Sequence, residues 1–165
     1  MRYYFLLLVV SLFFSCGPKA QNDYRYYEKA MKLAVQKDDF PGALKCLDLQ
    51  LQKTPHHVPS LYTRANLNRF LGKTEEALAD IKIAVQFNDP SESEIFASTL
   101  WLHGAQLYAL QEDWENALVW YGRAYDAAVK DNPDRLKEIA GEYAPLLLKA
   151  GREEDALRIV KESGL

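Results

Sequence analysis

Several residue types are scarce in this chain of 165 residues, and each scarcity excludes a class of protein. Its 2 cysteines cannot build a disulfide framework, and its cysteines and 3 histidines do not fall at the spacing of a zinc site. Its 8 glycines and 7 prolines are too few for a collagenous or low-complexity chain. Its 20 basic residues are outnumbered by 23 acidic ones, whereas a free-standing nucleic-acid-binding domain is usually basic.

Motifs that carry chemistry are missing as well. His56 and His57 are adjacent in a turn, where two side chains do not automatically converge on one metal ion, and we interpret them as an exposed pair. Gly72 and Lys73 resemble the end of a phosphate-binding loop, but no glycine-rich segment precedes them. The sequence therefore predicts no catalytic residue, no metal site and no cofactor, and hence a protein that is not an enzyme.

The residues that are abundant predict a folded domain. Hydrophobic residues make up 48% of the chain and charged residues 26%, which is the balance of a domain with its own core. A disordered tail would contain fewer apolar residues.

The first fifteen residues form a separate segment. Arg2 is followed by an uncharged, mostly apolar run from Tyr3 to Phe14, which ends at Ser15 and Cys16. As a helix this run would be about 18 Å long, whereas a membrane crossing needs roughly 20 residues. We interpret residues 1–15 as a signal peptide that is removed, and not as a transmembrane helix.

A small residue directly before a cysteine, at the end of an apolar run, resembles the processing site of bacterial lipoprotein precursors. The resemblance implies that Cys16 carries acyl chains such as palmitate, and that residues 16–23 tether the protein to a membrane of the bacterial cell envelope. Gly17 differs from the Asp of inner-membrane retention signals, which favours the outer membrane. The alternative is an ordinary secretory leader cleaved near Ala20. Cys46 falls inside an apolar helical pattern and is interpreted as a small buried hydrophobe.

An internal period dominates the rest of the sequence. Four Ala-Leu pairs follow polar turns, and their alanines recur at successive intervals of thirty-four, forty and thirty-nine positions. Twelve positions before and seven after each alanine the side chain is small, except in the first repeat. Small side chains at these offsets let two antiparallel helices approach closely. The alanines are Ala43, Ala77, Ala117 and Ala156, and the flanking positions are Met31, Ala65, Ala105 and Ala144, and Gln50, Ala84, Ala124 and Ser163.

This pattern resembles the tetratricopeptide repeat family. The match includes large residues at the family's aromatic sites, namely Tyr27, Leu61, Trp101 and Tyr108. Large residues also stand four positions after the key alanine, namely Leu47, Ile81, Tyr121 and Val160. The match further includes the turn glycines Gly72 and Gly151 and the repeat-ending Pro55. The resemblance implies an all-α fold over residues 24–165. It would be a right-handed α-solenoid of four helix hairpins, with repeats at about 24–57, 58–91, 98–131 and 137–165.

Capping residues and prolines predict where the helices begin. Asp89-Pro90 and Asn132-Pro133 each place a capping residue before a proline, which is typical of a helix start. The extra residues of the second interval then lengthen the start of the fifth helix. Pro145 lies inside the seventh helix and predicts a kink near Gly141. The predicted helices span residues 24–36, 40–53, 57–71, 74–86, 90–111, 114–130, 133–150 and 153–163.

A concave groove is the first candidate site, because stacked hairpins turn slightly at each repeat and their first helices line it. By resemblance to the family, the groove positions are Glu28, Lys32, Tyr62, Asn66, Arg69, His103 and Gln106. Their mixture of aromatic and polar groups suits a protein or peptide partner. The two-carboxylate clamp of chaperone-binding members of the family is not expected, because its positions read Glu28, Lys32 and Thr63 here.

A terminal surface is the second candidate. Leu157 and Ile159 lie on the last predicted helix, after which the sequence has no further capping helix. Either the seventh helix covers these residues or an apolar area stays open for a partner or a second copy. The aromatic stripe of Trp114, Trp120, Tyr121 and Tyr125 is interpreted as core.

Together, these patterns predict a non-enzymatic scaffold or adaptor in an envelope complex, held by a lipid anchor and without a nucleic-acid partner. The alternative is a structural subunit that self-associates as a homo-oligomer.

Overall fold

Helices dominate the part of the chain that the structure describes. This computed structural model describes residues 24–91, 93 and 95–165, with side chains from residue 29 onward, apart from residues 92 and 94. The leader, Cys16 and the tether therefore lie outside the described residues. The helices are α1 (Tyr24–Gln36), α2 (Phe40–Lys53), α3 (Val58–Phe70), α4 (Thr74–Phe87), α5 (Ala97–Leu110), α6 (Trp114–Asp131), α7 (Leu136–Lys149) and α8 (Glu153–Ser163), with a 3-10 turn at Pro133–Arg135 before α7.

The eight helices form four antiparallel hairpins, α1 with α2, α3 with α4, α5 with α6, and α7 with α8. Each helix packs most closely against its hairpin partner, and the second helix of each hairpin also packs against the first helix of the next. This serial stacking is the arrangement of an α-solenoid and confirms the predicted fold class.

The four turns inside the hairpins share one backbone geometry. Each has a residue in the left-handed conformation: Asp38 at φ 57°, Gly72 at φ 75°, Glu112 at φ 58° and Gly151 at φ 72°. In each turn, the amide that follows this residue donates to a carbonyl near the end of the first helix, as Lys73 does to Asn68 at 2.8 Å. This pattern is the Schellman motif, which ends a helix by satisfying its last carbonyls. The repeat therefore includes the turns as well as the helices.

The alanine register lies at the centre of the packing. Ala43, Ala77 and Ala117 are fully buried and Ala156 is 2% exposed. The positions twelve before and seven after these alanines are also buried, except for Met31, which is half-buried in the first hairpin. Most of the core is one cluster that runs from α2 to α8, whereas α1 and α2 share a smaller cluster with α3. Among the residues whose side chains are described, the first hairpin therefore has fewer core residues than the others.

One predicted helix start was wrong. Helix α5 begins at Ala97 and not at Pro90, so the extra residues of the second interval form a loop and do not lengthen the helix. The Asp89 carboxylate accepts hydrogen bonds from the Ser91 amide at 2.8 Å and the Ser91 hydroxyl at 2.6 Å. This local turn competes with helix initiation. The other α-helices begin and end close to their predicted bounds.

Three side chains also differ from expectation. His57 is not a plain exposed residue, because its Nδ1 accepts the Ser60 amide at 3.3 Å and so caps α3. Trp114 is 47% exposed and lies outside the core to which it was assigned. Cys46 is buried, as predicted, but its sulfur is disulfide-bonded and not a free thiol.

None of the helices within residues 24–165 combines the length and apolar character that a membrane crossing needs.

Candidate partner-binding groove

The first helices of the hairpins bring the predicted groove residues into one row. Tyr62, Asn66 and Arg69 lie on α3, and His103 and Gln106 lie on α5. Lys32 is exposed on α1, whereas the side chain of Glu28 lies outside the described residues. The row therefore runs from hairpin to hairpin, as serial stacking requires.

Tyr62 and His103 join the second and third hairpins. The Tyr62 hydroxyl lies 3.2 Å from His103 Nε2, and the two ring centroids are 4.9 Å apart with the planes tilted by 50°. Both side chains are half-buried, so one face of the pair remains open to solvent. The pair offers two tilted aromatic rings with polar ring atoms.

A chain of polar contacts continues from the pair toward the fourth hairpin. Arg69 Nη1 donates to Gln106 Oε1 at 3.3 Å, and Gln106 Nε2 donates to both carboxylate oxygens of Glu142 at 3.1 Å. The Tyr121 hydroxyl donates to Glu142 Oε2 at 2.7 Å. Glu142 thus receives bonds from α5 and α6 and is fixed in place on α7. These contacts link three first helices and preorganise the polar floor of the groove.

The electrostatics of the groove keep His103 neutral at pH 7. Burial, together with the positive charges of Arg69 and Arg135, lowers the pKa of His103 from 6.5 to about 4. The Arg135 guanidinium, from the turn before α7, donates to Thr99 Oγ1 at 2.8 Å and pairs with Glu138 at 2.9 Å. Burial and the bond to Glu142 raise the pKa of Tyr121. Arg69 is therefore an exposed cation beside a neutral imidazole and an anchored carboxylate.

Glu142 is the central residue that the prediction missed. Its offset from the key alanine of its repeat, Ala156, equals the offset of His103 from Ala117. The repeat register could therefore have identified it. Arg135 carries no such signal, since it lies in the 3-10 turn ahead of α7.

The two candidate residues on α8 have different environments. Leu157 is 69% exposed, whereas Ile159 is 3% exposed and belongs to the core. Ile159 therefore cannot form part of an open terminal surface. Two alternatives were predicted for this helix, and each holds for one residue. Ile159 is covered within the core, whereas Leu157 leaves an apolar side chain open.

The candidate groove residues combine aromatic, cationic and hydrogen-bonding groups. Within the described residues, no group of His, Cys, Asp and Glu side chains could hold a metal ion. The arrangement offers an aromatic surface, the guanidinium of Arg69 and the oxygens of Gln106 and Glu142, which can recognise a polar or peptide ligand.

Several solved structures share this architecture. The TPR2B domain of yeast Sti1, solved in a complex with pHsp70, has a TM-score of 0.63 at 21% identity, and the match covers 76% of this chain and 96% of that one. MamA 41-end from Desulfovibrio magneticus RS-1 has a TM-score of 0.66 at 14% identity, with 87% and 75% covered. The Sgt2 TPR domain from Aspergillus fumigatus has a TM-score of 0.61 at 19% identity, with 82% and 88% covered.

No protein-family model and no curated protein matches the chain. At the identities of the solved structures, similarity shows the fold alone. The repeated turns, the buried alanine register and these neighbours together show that the chain has a tetratricopeptide-like fold.

Proposed function

We propose that this protein is a non-enzymatic adaptor that binds a protein partner in its groove while a lipid on Cys16 holds it at a bacterial envelope membrane. The observation that carries the proposal is the contact chain from Arg69 through Gln106 to Glu142, which makes a preorganised polar floor across three hairpins. Anchoring an adaptor to a surface raises the effective concentration of its partner there.

The partner that best fits the groove is an extended peptide or a helix with polar side chains. Solenoid repeats present such long concave surfaces, and the yeast Sti1 neighbour was solved in a complex with pHsp70. We do not expect this chain to hold a C-terminal carboxylate in the same way as chaperone-binding members, because Thr63 uses its hydroxyl to bond the Pro59 carbonyl at 2.8 Å. Arg69 is the groove cation best placed for an acidic or carbonyl group.

Photocrosslinking in cells tests the groove. A photoreactive amino acid replaces Asn66 in one variant and exposed Gln86, on the second helix of the same hairpin, in a matched control. A partner crosslinked from position 66, absent from position 86 and lost when Tyr62→Ala and Arg69→Ala are added, supports the proposal. Equal capture from both positions, or capture that survives the double substitution with folding intact, contradicts it.

Chemical labelling tests the anchor. A palmitate analogue added to cells should label the protein, and Cys16→Ser should abolish both the label and membrane retention. One sulfur cannot hold both a lipid thioether and a disulfide with Cys46. Intact-mass measurement of the mature protein therefore distinguishes acylation from a Cys16–Cys46 bond, and Cys46→Ser is the control, because it removes the disulfide without removing the lipid site.

Self-association is the second candidate, and the exposure of Leu157 is the observation in its favour. Ile159, however, is buried in the core and adds nothing to this face.

A further inference from the structure

A second surface runs along the edge that carries the four turns inside the hairpins. We call it the turn edge and define it as residues 35–40, 70–76, 110–115 and 148–155. It contains six of the twelve large hydrophobic residues that are exposed in the described part of the chain: Val35 at 40%, Phe70 at 71%, Leu71 at 39%, Leu110 at 63%, Trp114 at 47% and Leu148 at 53%. Every hairpin contributes at least one of them, so the apolar residues form a stripe that follows the repeat.

Contacts join neighbouring hairpins at two places along this stripe. The rings of Phe40 and Phe70, from the first and second hairpins, lie with centroids 5.0 Å apart. The Nζ of Lys149 lies 6.0 Å from the centre of the Trp114 ring, which joins the third and fourth hairpins. An exposed apolar surface that spans a whole domain is typical of an interaction site.

The charge of the chain is concentrated on the same edge. The turn edge contains ten acidic residues and four basic ones, for a net charge of −6, whereas the whole chain has −3. The remaining residues therefore carry +3. Seven of the ten carboxylates are exposed and take part in none of the ion pairs or side-chain capping bonds of the described residues: Asp38, Glu75, Glu76, Glu112, Glu115, Glu153 and Glu154.

Helix capping explains only some of these acids. Glu75 and Glu153 lie in the first turns of second helices, where negative charge offsets the helix dipole. Asp38 and Glu112 lie in the tight turns themselves, after the carboxyl ends of α1 and α5 and directly before the N-caps of α2 and α6. They also occupy the left-handed positions that glycine fills in the other two turns. Two acids held in the left-handed conformation at one edge indicate a use other than stability.

We propose that the turn edge binds a cationic amphipathic segment of a partner protein, with its apolar side on the stripe and its Lys or Arg side chains against the carboxylates. Packed helices lie about 8–10 Å apart, so a stripe across four hairpins spans on the order of 30 Å, which matches a helix of roughly 20 residues. A cleft of about 690 Å³ between the second and third hairpins is lined by Glu75, Leu78, Ala79, Lys82, Gln111 and Asp113 and can accept one of its side chains. This surface is separate from the groove and does not depend on the function proposed for it.

The test uses the purified chain and a fluorescent synthetic helix of roughly 20 leucine and lysine residues with leucines on one face. A second peptide has glutamate in place of every lysine. We expect the lysine peptide alone to bind, with an affinity that falls as salt is raised. Phe70→Ser with Leu110→Ser should weaken binding about tenfold. The matched pair Val119→Ser with Leu157→Ser, similarly exposed but outside the edge, should leave it unchanged.

The turn acids give an independent measurement. Glu112→Gly should raise the melting temperature and yet weaken peptide binding, which a purely structural residue would not do. Asp134→Asn, which removes an exposed carboxylate elsewhere, is the charge control. Equal binding of both peptides, or equal loss in the edge and control pairs, would overturn the proposal.

Two other occupants would also overturn it. If the stripe substitutions reduce binding to phosphatidylcholine vesicles and not to the peptide, the edge is a lipid surface. If they abolish a concentration-dependent increase in mass, it is an interface between copies. The groove variant with Tyr62→Ala and Arg69→Ala should keep peptide binding, so the groove and the edge can fail separately.

Discussion

At the scale of single residues, close packing decides which substitutions the solenoid tolerates. Gly104 lies on α5 where a Cβ atom would come 2.1 Å from Cε3 of Trp120, whereas Gly141 on α7 has open space around the same position. Both are interior helical glycines. Because Trp120 lies beside Gly104 and nothing lies beside Gly141, the two glycines form a matched pair of test sites.

We expect Gly104→Ala to destabilise the protein by about 1–3 kcal/mol, because Trp120 or the helix must move. Gly141→Ala should stabilise it by about 0.5–1 kcal/mol, since alanine favours a helix where nothing obstructs it. Urea unfolding monitored by circular dichroism measures both values. Changes of the same sign in the two variants would contradict the packing of α5 against α6.

His103 gives the groove a pH dependence. Its pKa of about 4 in the fold lies below its ordinary value of 6.5, so the unfolded chain binds the proton more tightly. This histidine therefore contributes stability above pH 6.5, and the contribution is lost as the pH falls from about 6.5 to 4.

We expect His103→Gln to flatten this part of the pH profile of unfolding, because glutamine can still bond Tyr62 but does not titrate. The free energy of unfolding of both proteins is measured by urea denaturation at several pH values across this interval. Parallel profiles would show that His103 is not the buried titrating group. His56→Gln is the control, since exposed His56 stacks on Phe87 away from the groove.

At the scale of elements, the repeated turns define the hairpins more clearly than helix propensity does. The left-handed residues recur at the same three intervals as the buried alanines. Helix α5 departs from its predicted start because Asp89 closes a turn on Ser91, and these bonds lower the pKa of the Asp89 carboxyl. Helix α7 continues through Pro145, and the predicted kink near Gly141 stays a prediction.

The first hairpin should open before the others. Among the described contacts, α1 packs mainly against α2, and the local core is the small cluster of Ala43, Leu47 and Leu67. In stacked repeats, each hairpin is stabilised by its neighbours, so a terminal one with a thin core opens at lower free energy.

Hydrogen exchange measures this difference. We expect amides of α2 to exchange faster than those of α4 and α6 under native conditions. Met31→Ala, which supplies the small residue found in the other repeats, tests whether close approach of α1 and α2 limits stability. Uniform protection of all four hairpins would contradict a separate first core.

At the scale of the whole molecule, the exposed apolar area on α8 is small. Leu157 follows its key alanine just as Leu78 does, yet Leu78 is 6% exposed and Leu157 is 69% exposed. Leu78 is covered by neighbouring hairpins, and no further hairpin packs on α8 within the described residues. With Ile159 buried, Leu157 on α8 and Leu165 just after it are the exposed large apolar side chains here, and their combined area is far less than the roughly 800 Å² per partner of a stable interface.

We therefore expect the purified chain, freed of lipid, to be a monomer at micromolar concentration. Light scattering coupled to gel filtration measures its mass over a range of concentrations. A mass that rises with concentration and returns to the monomer value in Leu157→Glu would favour the self-associating subunit instead. Val119→Glu, on the outer face of α6, is the matched control.

The sequence by itself determined the hairpins, because alanine spacing, turn residues and caps act locally within each repeat and are visible along the chain. Its resemblance to the tetratricopeptide family also assigned Tyr62, Arg69, His103 and Gln106 to the first helices of neighbouring hairpins. The tertiary structure alone decided which of these side chains meet, how Glu142 is anchored, and that Leu157 is open while Ile159 is buried. It also decided that exposed apolar and acidic residues share one edge. These contacts join residues about one repeat apart, and their geometry depends on how each hairpin rotates and packs on the next.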